Sequence, residues 1–359
     1  SRFVDGLVKH FGDGTERLAV FRSGGIAQSM CVIKRRRAGV WCTFFPANAQ
    51  IGAALIGRAE HIPALVTALE GVRIQFELLG SDPDFGDLGG SIGATSTQQT
   101  QALTISIRLQ GGFDSYWSSR SRNLTKNMAR YERRSIADGI ATRFTCVTDP
   151  VELAHAIARY GELESKGWKG KQGTAVGFND PQGSFYTELA RRFSSTGGAC
   201  VYELWMGDQL AASRIVIGTG STIVILKTTY DEALGRYAPG RMLLRQLIKH
   251  AFETHTGGVV EFYTDSNADS LAWATDQRTI RHVTFYHGRV LSQIVRTVAA
   301  GRAVLASLAS GNRTDPACQP DQLPVCGGGR RCPGRQVVCP LGHRRPPARR
   351  AAAVWQSAR

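Results

Sequence analysis

Short runs of alternating apolar and polar residues, separated by turn-forming pairs, organise the first eighty positions. They predict strands near 17–22, 26–34 and 38–45, an extended loop PANAQIG, a helix near 61–70 and a strand over 72–79. The order returns later in the chain: 201–206 turns at Gly207-Asp208 into 210–217, which turns at GTGS into 222–227. A helix from about Arg241 and a strand over 259–263 complete the second set. What repeats is the pattern, not the residues. Each half reads as an antiparallel meander feeding a helix that crosses back to another strand, so an α+β fold with two related domains is expected.

Between the sets, Arg122, Lys126, Arg130 and Arg134 recur every four residues and align on one helical face. Leu124, Met128 and Tyr131 occupy the apolar face, with Ile136 near its end. Such a face is either solvated on a connecting helix or a contact for an anionic ligand or nucleic acid. A second helix, from Val151 to about Lys166, is capped by Thr148 or Asp149 and buries Leu153, Ile157 and Leu163. The loop after it carries Trp168, Lys169 and Lys171 among glycines, either as the lip of a cleft or with Trp168 packed for structure.

At 359 residues and 42% apolar content, the chain suits two ordinary domains or one enlarged α/β unit. It holds no apolar run of the roughly 20 residues that cross a bilayer, and its polar opening is not built like a signal peptide; a soluble, cytoplasmic protein without a transmembrane segment is expected. The net charge of +15 implies anionic partners. Its distribution sharpens this: from Gly311 onward there are nine Arg against two Asp, so +7 of the total lies in the tail. Cys31, Cys42, Cys146 and Cys200 sit in apolar contexts as reduced, buried thiols. Cys318, Cys326, Cys332 and Cys339 have seven, five and six residues between them, without the paired spacing of a zinc site, so no metal is expected. With its Pro, Gly and Arg content, the segment 311–359 reads as a disordered extension, after a terminal helix over 296–310.

The stretch RYAPGRMLLRQLIKHAFETH, beginning at Arg236, joins a proline-glycine corner to a helix with Leu243, Leu244, Leu247, Ile248, Ala251 and Phe252 on one face. A helix start leaves N–H groups without intrahelical acceptors and favours anions. Gly240 permits close approach of a ligand, Pro239 presets the turn, and Arg236 and Arg241 lie near enough in sequence to add charge-assisted bonds. GDGTE and GTGS, by contrast, lack the lysine and context of a phosphate loop.

Five segments in order, YWSSRSRNLTKNMARYERR, ESKGWKGKQGTA, LWMGDQLAASRIVI, LKTTYDEALGRYAPGRMLL and VVEFYTDSN, resemble the FemAB-like branch of the GNAT acyltransferase superfamily. The likeness is to the group of CelD-like proteins with BioF2-like acetyltransferase domains, and spans about residues 15–295. Pro239-Gly240 resembles that branch's alternative to the usual GNAT corner, whereas Ser270 stands where a lysine is often found. The resemblance implies two tandem GNAT-like halves (acyl-CoA N-acyltransferase) with antiparallel-rich mixed sheets flanked by helices: 1–112, a basic connector over 113–145, and 146–295. It further implies transfer of an acyl group from acyl-CoA (acetyl-CoA) as co-substrate to an amine or hydroxyl, with a small molecule, sugar or polysaccharide precursor of the kind used in cellulose or exopolysaccharide synthesis as acceptor. Two alternatives stay open: an aminoacyl-tRNA-dependent transferase with tRNA as partner, and a noncatalytic nucleic-acid-binding protein.

On this reading Arg236, Pro239, Gly240, Arg241 and Met242 hold the donor, and the splayed end of TIVILK supplies an oxyanion donor. Tyr230 protonates the leaving thiolate, Asp231 (or Glu232) relays the acceptor proton, and Lys227 orients an anion or the acceptor. The Asp231-Glu232 pair is equally a helix cap, and the Lys227 stem equally covers a sheet edge. Alternation puts Glu261, Tyr263 and Asp265 on one side as an acceptor wall, with Glu164 and Trp168 opposite; a solvent-facing strand explains the first three as well.

Overall fold

Turns with positive φ separate the strands, the strand expected over 26–34 ending three residues later than its pattern predicts, at Arg37. Gly39 (φ 75°) closes the second hairpin where an added Cβ would lie 2.6 Å from Ile74, and Gly207 (φ 60°) closes the one before Gln209. The computed structural model describes residues 2–46, 56–57, 61–85, 95–167, 170, 173, 175–177, 180–290, 292–294 and 297. These fall in one compact unit, Ser1–Leu305. The predicted helix over 296–310, apart from Thr297, the cysteine-rich tail and the loop residues Trp168, Lys169 and Lys171 lie outside the described residues.

The first elements are α1 (Arg2–Phe11), β1 (Arg17–Ser23), β2 (Ile26–Arg37), β3 (Val40–Thr43), β4 (Ile56–Gly57), α2 (Ile62–Ala68), β5 (Gln75–Ser81) and β6 (Ser96–Arg108). Then come α3 (Phe113–Ser118), α4 (Arg122–Ala137), β7 (Thr142–Val147), α5 (Pro150–Lys166) and α6 (Pro181–Ser194). The chain continues with β8 (Ala199–Met206), β9 (Gln209–Thr219), β10 (Thr222–Tyr230), α7 (Pro239–Thr254), β11 (Val259–Glu261), α8 (Ala268–Leu271) and β12 (Asp276–Tyr286).

Among the described residues the strands make one sheet in the order β1-β2-β3-β5-β12-β6-β11-β10-β9-β8-β7, with β4 on β2. The repeated pattern is visible in the pairing. β2 and β3 are antiparallel and β3 pairs β5 in parallel after α2; β9 and β10 are antiparallel and β10 pairs β11 in parallel after α7. The last strand, β12, runs back between β5 and β6.

Alternation along β9 and β10 sends side chains to two cores. Ala212, Val216, Ile223 and Ile225 pack with Leu243, Leu247 and Ile248 of α7 and Leu124 and Met128 of α4. Ile215, Ile217 and Leu226 pack with α5, α6 and α1 around Tyr160, Phe185 and Leu7. Leu243, Leu247, Ile248 and Ala251 are fully buried, and each leucine or isoleucine contributes roughly 1.5–3 kcal/mol of transfer free energy. This fixes α7 over the sheet and so places its first turn.

Three sequence expectations change. Ile136 is 74% exposed, because the buried stripe of α4 runs through Leu124, Met128 and Ser135 and leaves position 136 outside it. The strand expected over 259–263 ends at Glu261, and Tyr263 takes φ 48°, so alternation does not continue to Asp265. The segments α1, β6, β7, α6 and β12 extend the architecture beyond the elements read from the pattern.

Candidate active site

Between β10 and β11 the parallel register runs only from Thr222–Val259 to Val224–Glu261. Beyond it β10 continues to Tyr230, with a bulge between Ile225 and Lys227 on its β9 side. The strands therefore part, and the edge of β10 that β11 covered faces a cleft of about 680 Å³. Ile225, Lys227, Thr228 and Tyr230 form one wall, Gly240 and Arg241 the end, and Phe262, Asn267, Asp269 and Trp273 the other wall. That volume and mix of apolar and polar lining suit a small-molecule ligand.

The end wall is the start of α7. Ala238 precedes the helix in the left-handed conformation (φ 51°, ψ 54°), and its carbonyl accepts from the N–H groups of Arg241 and Met242 at 3.0 and 3.1 Å. Gly240 leaves that corner open: a Cβ there would lie 3.3 Å from Cδ1 of the Tyr230 ring. Pro239 is buried at the first turn, and Met242 is buried in the core beneath it. Arg241 lines the cleft and pairs with Asp269 through Nε at 3.1 Å. Arg236 turns away, to Asp138 at 2.9 Å.

Lys227 donates to Gln182 Oε1 at 3.3 Å and lies 5.6 Å from the centre of the Tyr186 ring. Tyr230 is 47% exposed at the mouth. Asp231 caps the 3-10 turn Glu232–Tyr237 by accepting from Ala233 N–H at 2.8 Å, and it also accepts from Gln209. The cleft thus gathers Lys227, Tyr230, Gly240 and Arg241, and it excludes Asp231 and Arg236.

Among the described residues, Glu164, Glu261 and Asp265 do not line it. Glu164 is buried on the inner face of α5, where its carboxylate accepts from the Tyr160 hydroxyl and from Val176 N–H, both at 2.9 Å. Burial, then the Glu164 charge, push the Tyr160 hydroxyl well above its ordinary range. Glu261 is buried against Arg278 at 2.9 Å, and burial raises its pKa in spite of that cation. Arg278 in turn holds Asp82 with two bonds, of 2.8 and 2.7 Å. Asp265 accepts from Leu103 N–H at 3.0 Å. These last acids brace β11 against β6 and β12 instead of forming one wall.

Of the lining residues that the sequence reading did not assign to the site, two stand out. Tyr131 brings the basic helix α4 to the cleft, and Arg214 enters from β9. Arg214 is 8% exposed, its Nη2 donates to the Gly240 carbonyl at 3.3 Å, and its Nε has no partner. Burial pulls its pKa down to about 10, with a nearby Tyr160 opposing. The only signal in the sequence was an arginine inside the otherwise small and apolar run LAASRIVI. Among the described residues no cluster of His, Cys, Asp and Glu could hold a metal ion.

A helix start, a strand splay beside it and cations around the cleft fit an elongated anionic donor, and the family comparison agrees. Residues 119–269, which contain this site, match the family described as Acetyltransferase (GNAT) domain. The fold is that of GNAT-superfamily acetyltransferases, and the presence of the domain supports catalytic acyltransferase activity and implies acyl-CoA binding. Among solved structures the chain is similar to FemX, at 9% identity and TM-score 0.53 over 82% of this chain and 93% of that one. It is likewise similar to the C-terminal domain of a protein described as a lysylphosphatidylglycerol synthetase from Agrobacterium fabrum, at 13% identity and TM-score 0.52 over 83% and 95%. A conserved protein of unknown function from Bacteroides thetaiotaomicron matches at 8% identity and TM-score 0.51, over 80% and 90%. At these identities the likeness concerns the fold. No curated protein matches the chain by sequence.

Proposed function

We propose that the chain transfers an acyl group from acyl-CoA to an amine or hydroxyl of a sugar or polysaccharide precursor, in the cytoplasm. The observation that carries this reading is the cleft between the diverging β10 and β11, closed at one end by the first turn of α7 with Gly240. The donor's phosphates lie at that turn, and its thioester reaches the uncovered edge of β10, where a main-chain N–H meets the developing oxyanion. Tyr230, at the mouth, gives its proton to the departing thiolate and is reprotonated, through water at the mouth, by the proton that the acceptor nitrogen or oxygen loses. Lys227, on the α6 side, orients the acceptor. Asp231 holds the turn that presents Tyr230. The two repeated halves, 1–112 and 146–295, are related GNAT-like units of the FemAB-like, CelD-like branch.

The test is calorimetric titration of the full chain with acetyl-CoA and longer acyl-CoAs, followed by an assay of free CoA release with a panel of amino and hydroxy sugars. Binding with acceptor-dependent release supports the reading; no binding across the acyl-CoA series overturns it.

A second reading has an aminoacyl-tRNA as donor. It is favoured by the exposed cations Arg122, Lys126 and Arg130 on α4, the helix whose Tyr131 lines the cleft. Transfer from charged tRNA to an acceptor, without turnover of acyl-CoA, would support it.

A further inference from the structure

Among the described residues that line the cleft, Arg214 carries a buried side-chain N–H without a partner. Its guanidinium offers five N–H donors, yet Nε has no partner and the bond to the Gly240 carbonyl is long at 3.3 Å. Among the described residues, neighbouring arginines have acids: Arg159 has Glu203, Arg241 has Asp269, Arg245 has Glu132 and Arg278 has Asp82. Arg214 has none, although it is more deeply buried than Arg159, Arg241 or Arg245. A buried cation without an anion opposes folding, so the protein keeps it at a cost that a structural role does not explain. Thr228 faces it from β10, and the guanidinium lies beneath the first turn of α7, whose positive end adds to its field.

We propose that Arg214 is the counter-charge for the diphosphate of the acyl-CoA donor, which binds at the start of α7 beside this guanidinium. This rests on the acyltransferase reading above. It gives Arg214 the part that the two arginines of the corner do not fill, since Arg236 is held by Asp138 and Arg241 by Asp269. A guanidinium binds two phosphate oxygens at once, which a single N–H at a helix start cannot do. The site therefore selects a donor with a diphosphate over one that ends in a bare pantetheine arm.

The experiment compares wild type, Arg214→Met and Arg214→Lys by calorimetric titration with CoA, with succinyl-CoA and with pantetheine, which lacks the diphosphate, alongside thermal unfolding without ligand. Arg214→Met is expected to weaken CoA binding by about tenfold to a hundredfold, leave pantetheine binding unchanged, and raise the Tm of the free protein by about 3 °C. Arg214→Lys is expected to recover part of the CoA affinity. Equal weakening toward CoA and pantetheine, or a fall in Tm for Arg214→Met, would make Arg214 a structural residue and overturn the proposal. A loss confined to succinyl-CoA, with CoA itself unaffected, would assign the charge to an acyl-chain carboxylate and overturn it too. If wild type binds CoA and Arg214→Met binds it as well, only the role of Arg214 fails; if wild type binds no CoA, the acyltransferase reading itself fails.

Discussion

Ala238 holds a left-handed backbone conformation that residues with a Cβ adopt at a cost of roughly 1–2 kcal/mol. It does so at the cleft, directly before Pro239, where the chain must turn sharply from the 3-10 segment into α7. Replacing it with glycine removes the clash but adds freedom to the unfolded chain, so Ala238→Gly is expected to gain about 0.5 kcal/mol in urea unfolding. Ala238→Val places a branched Cβ in the same conformation and is expected to lose 1 kcal/mol or more, of the order of other strained residues. Two positions on, Gly240→Ala tests ligand approach rather than stability. The new methyl meets only the half-exposed Tyr230 ring, at 3.3 Å, and alanine suits a helix better than glycine. Its Tm should hold or rise slightly, while its affinity for acyl-CoA falls about tenfold because the methyl fills the space before the first turn. A fall in Tm with unchanged affinity would remove Gly240 from the donor site.

The elements that build the cleft were legible because their patterns are strong. β8, β9 and β10 alternate and are joined by turns, and α7 carries a continuous apolar face after Pro239. β12 was not legible, since DQRTIRHVTFY reads as polar; its Arg278 is nevertheless buried, satisfied by acids that lie far off in the sequence. Likewise, alternation assigned Glu261 and Asp265 to one wall, and only the left-handed Tyr263 breaks that register. Helix α1 was hidden for a different reason, since ten residues make a weak signal until Phe3 and Phe11 meet Phe185 of α6. Its attachment can be tested by pH. Glu188 on α6 accepts from Lys9 at 2.7 Å and contacts His10 at 2.6 Å, and it also pairs with Arg192. These partners, Lys9 first, lower its pKa to about 2 from an ordinary 4.5. A depressed carboxylate stabilises the fold above its unfolded pKa and loses that contribution as the pH falls through its folded one. Wild type should therefore exceed Glu188→Gln by about 1 kcal/mol at pH 7, a figure reduced for the exposure of Lys9, and the difference should vanish between pH 4.5 and 2. Urea unfolding at pH 7, 4 and 2.5 checks this, and a difference that persists at the lowest pH would assign the effect to packing.

At the scale of the whole molecule, β12 decides whether the repeated halves behave separately. It pairs with both β5 and β6, and β6 pairs with β11, so the sheet passes without a break from one repeated set of elements to the other. Arg278 sits on that strand and joins Asp82, which follows β5, to Glu261 at the end of β11. Burial alone would lower the pKa of its guanidinium, but the bonds to Asp82 and the charge of Glu261 hold it raised, so the cation and its acids are interdependent. Removing the cation leaves two buried carboxylates facing each other across a strand. Arg278→Leu is therefore expected to cost about 3–5 kcal/mol, a loss that belongs to the whole sheet. Calorimetry should show a single transition for residues 1–305 moving to lower temperature as one. Adding Asp82→Asn and Glu261→Gln to Arg278→Leu should return a large part of the loss, because the three groups are coupled. Two separate transitions, only one of them moved by Arg278→Leu, would mean that the halves fold independently and that β12 merely lies between them.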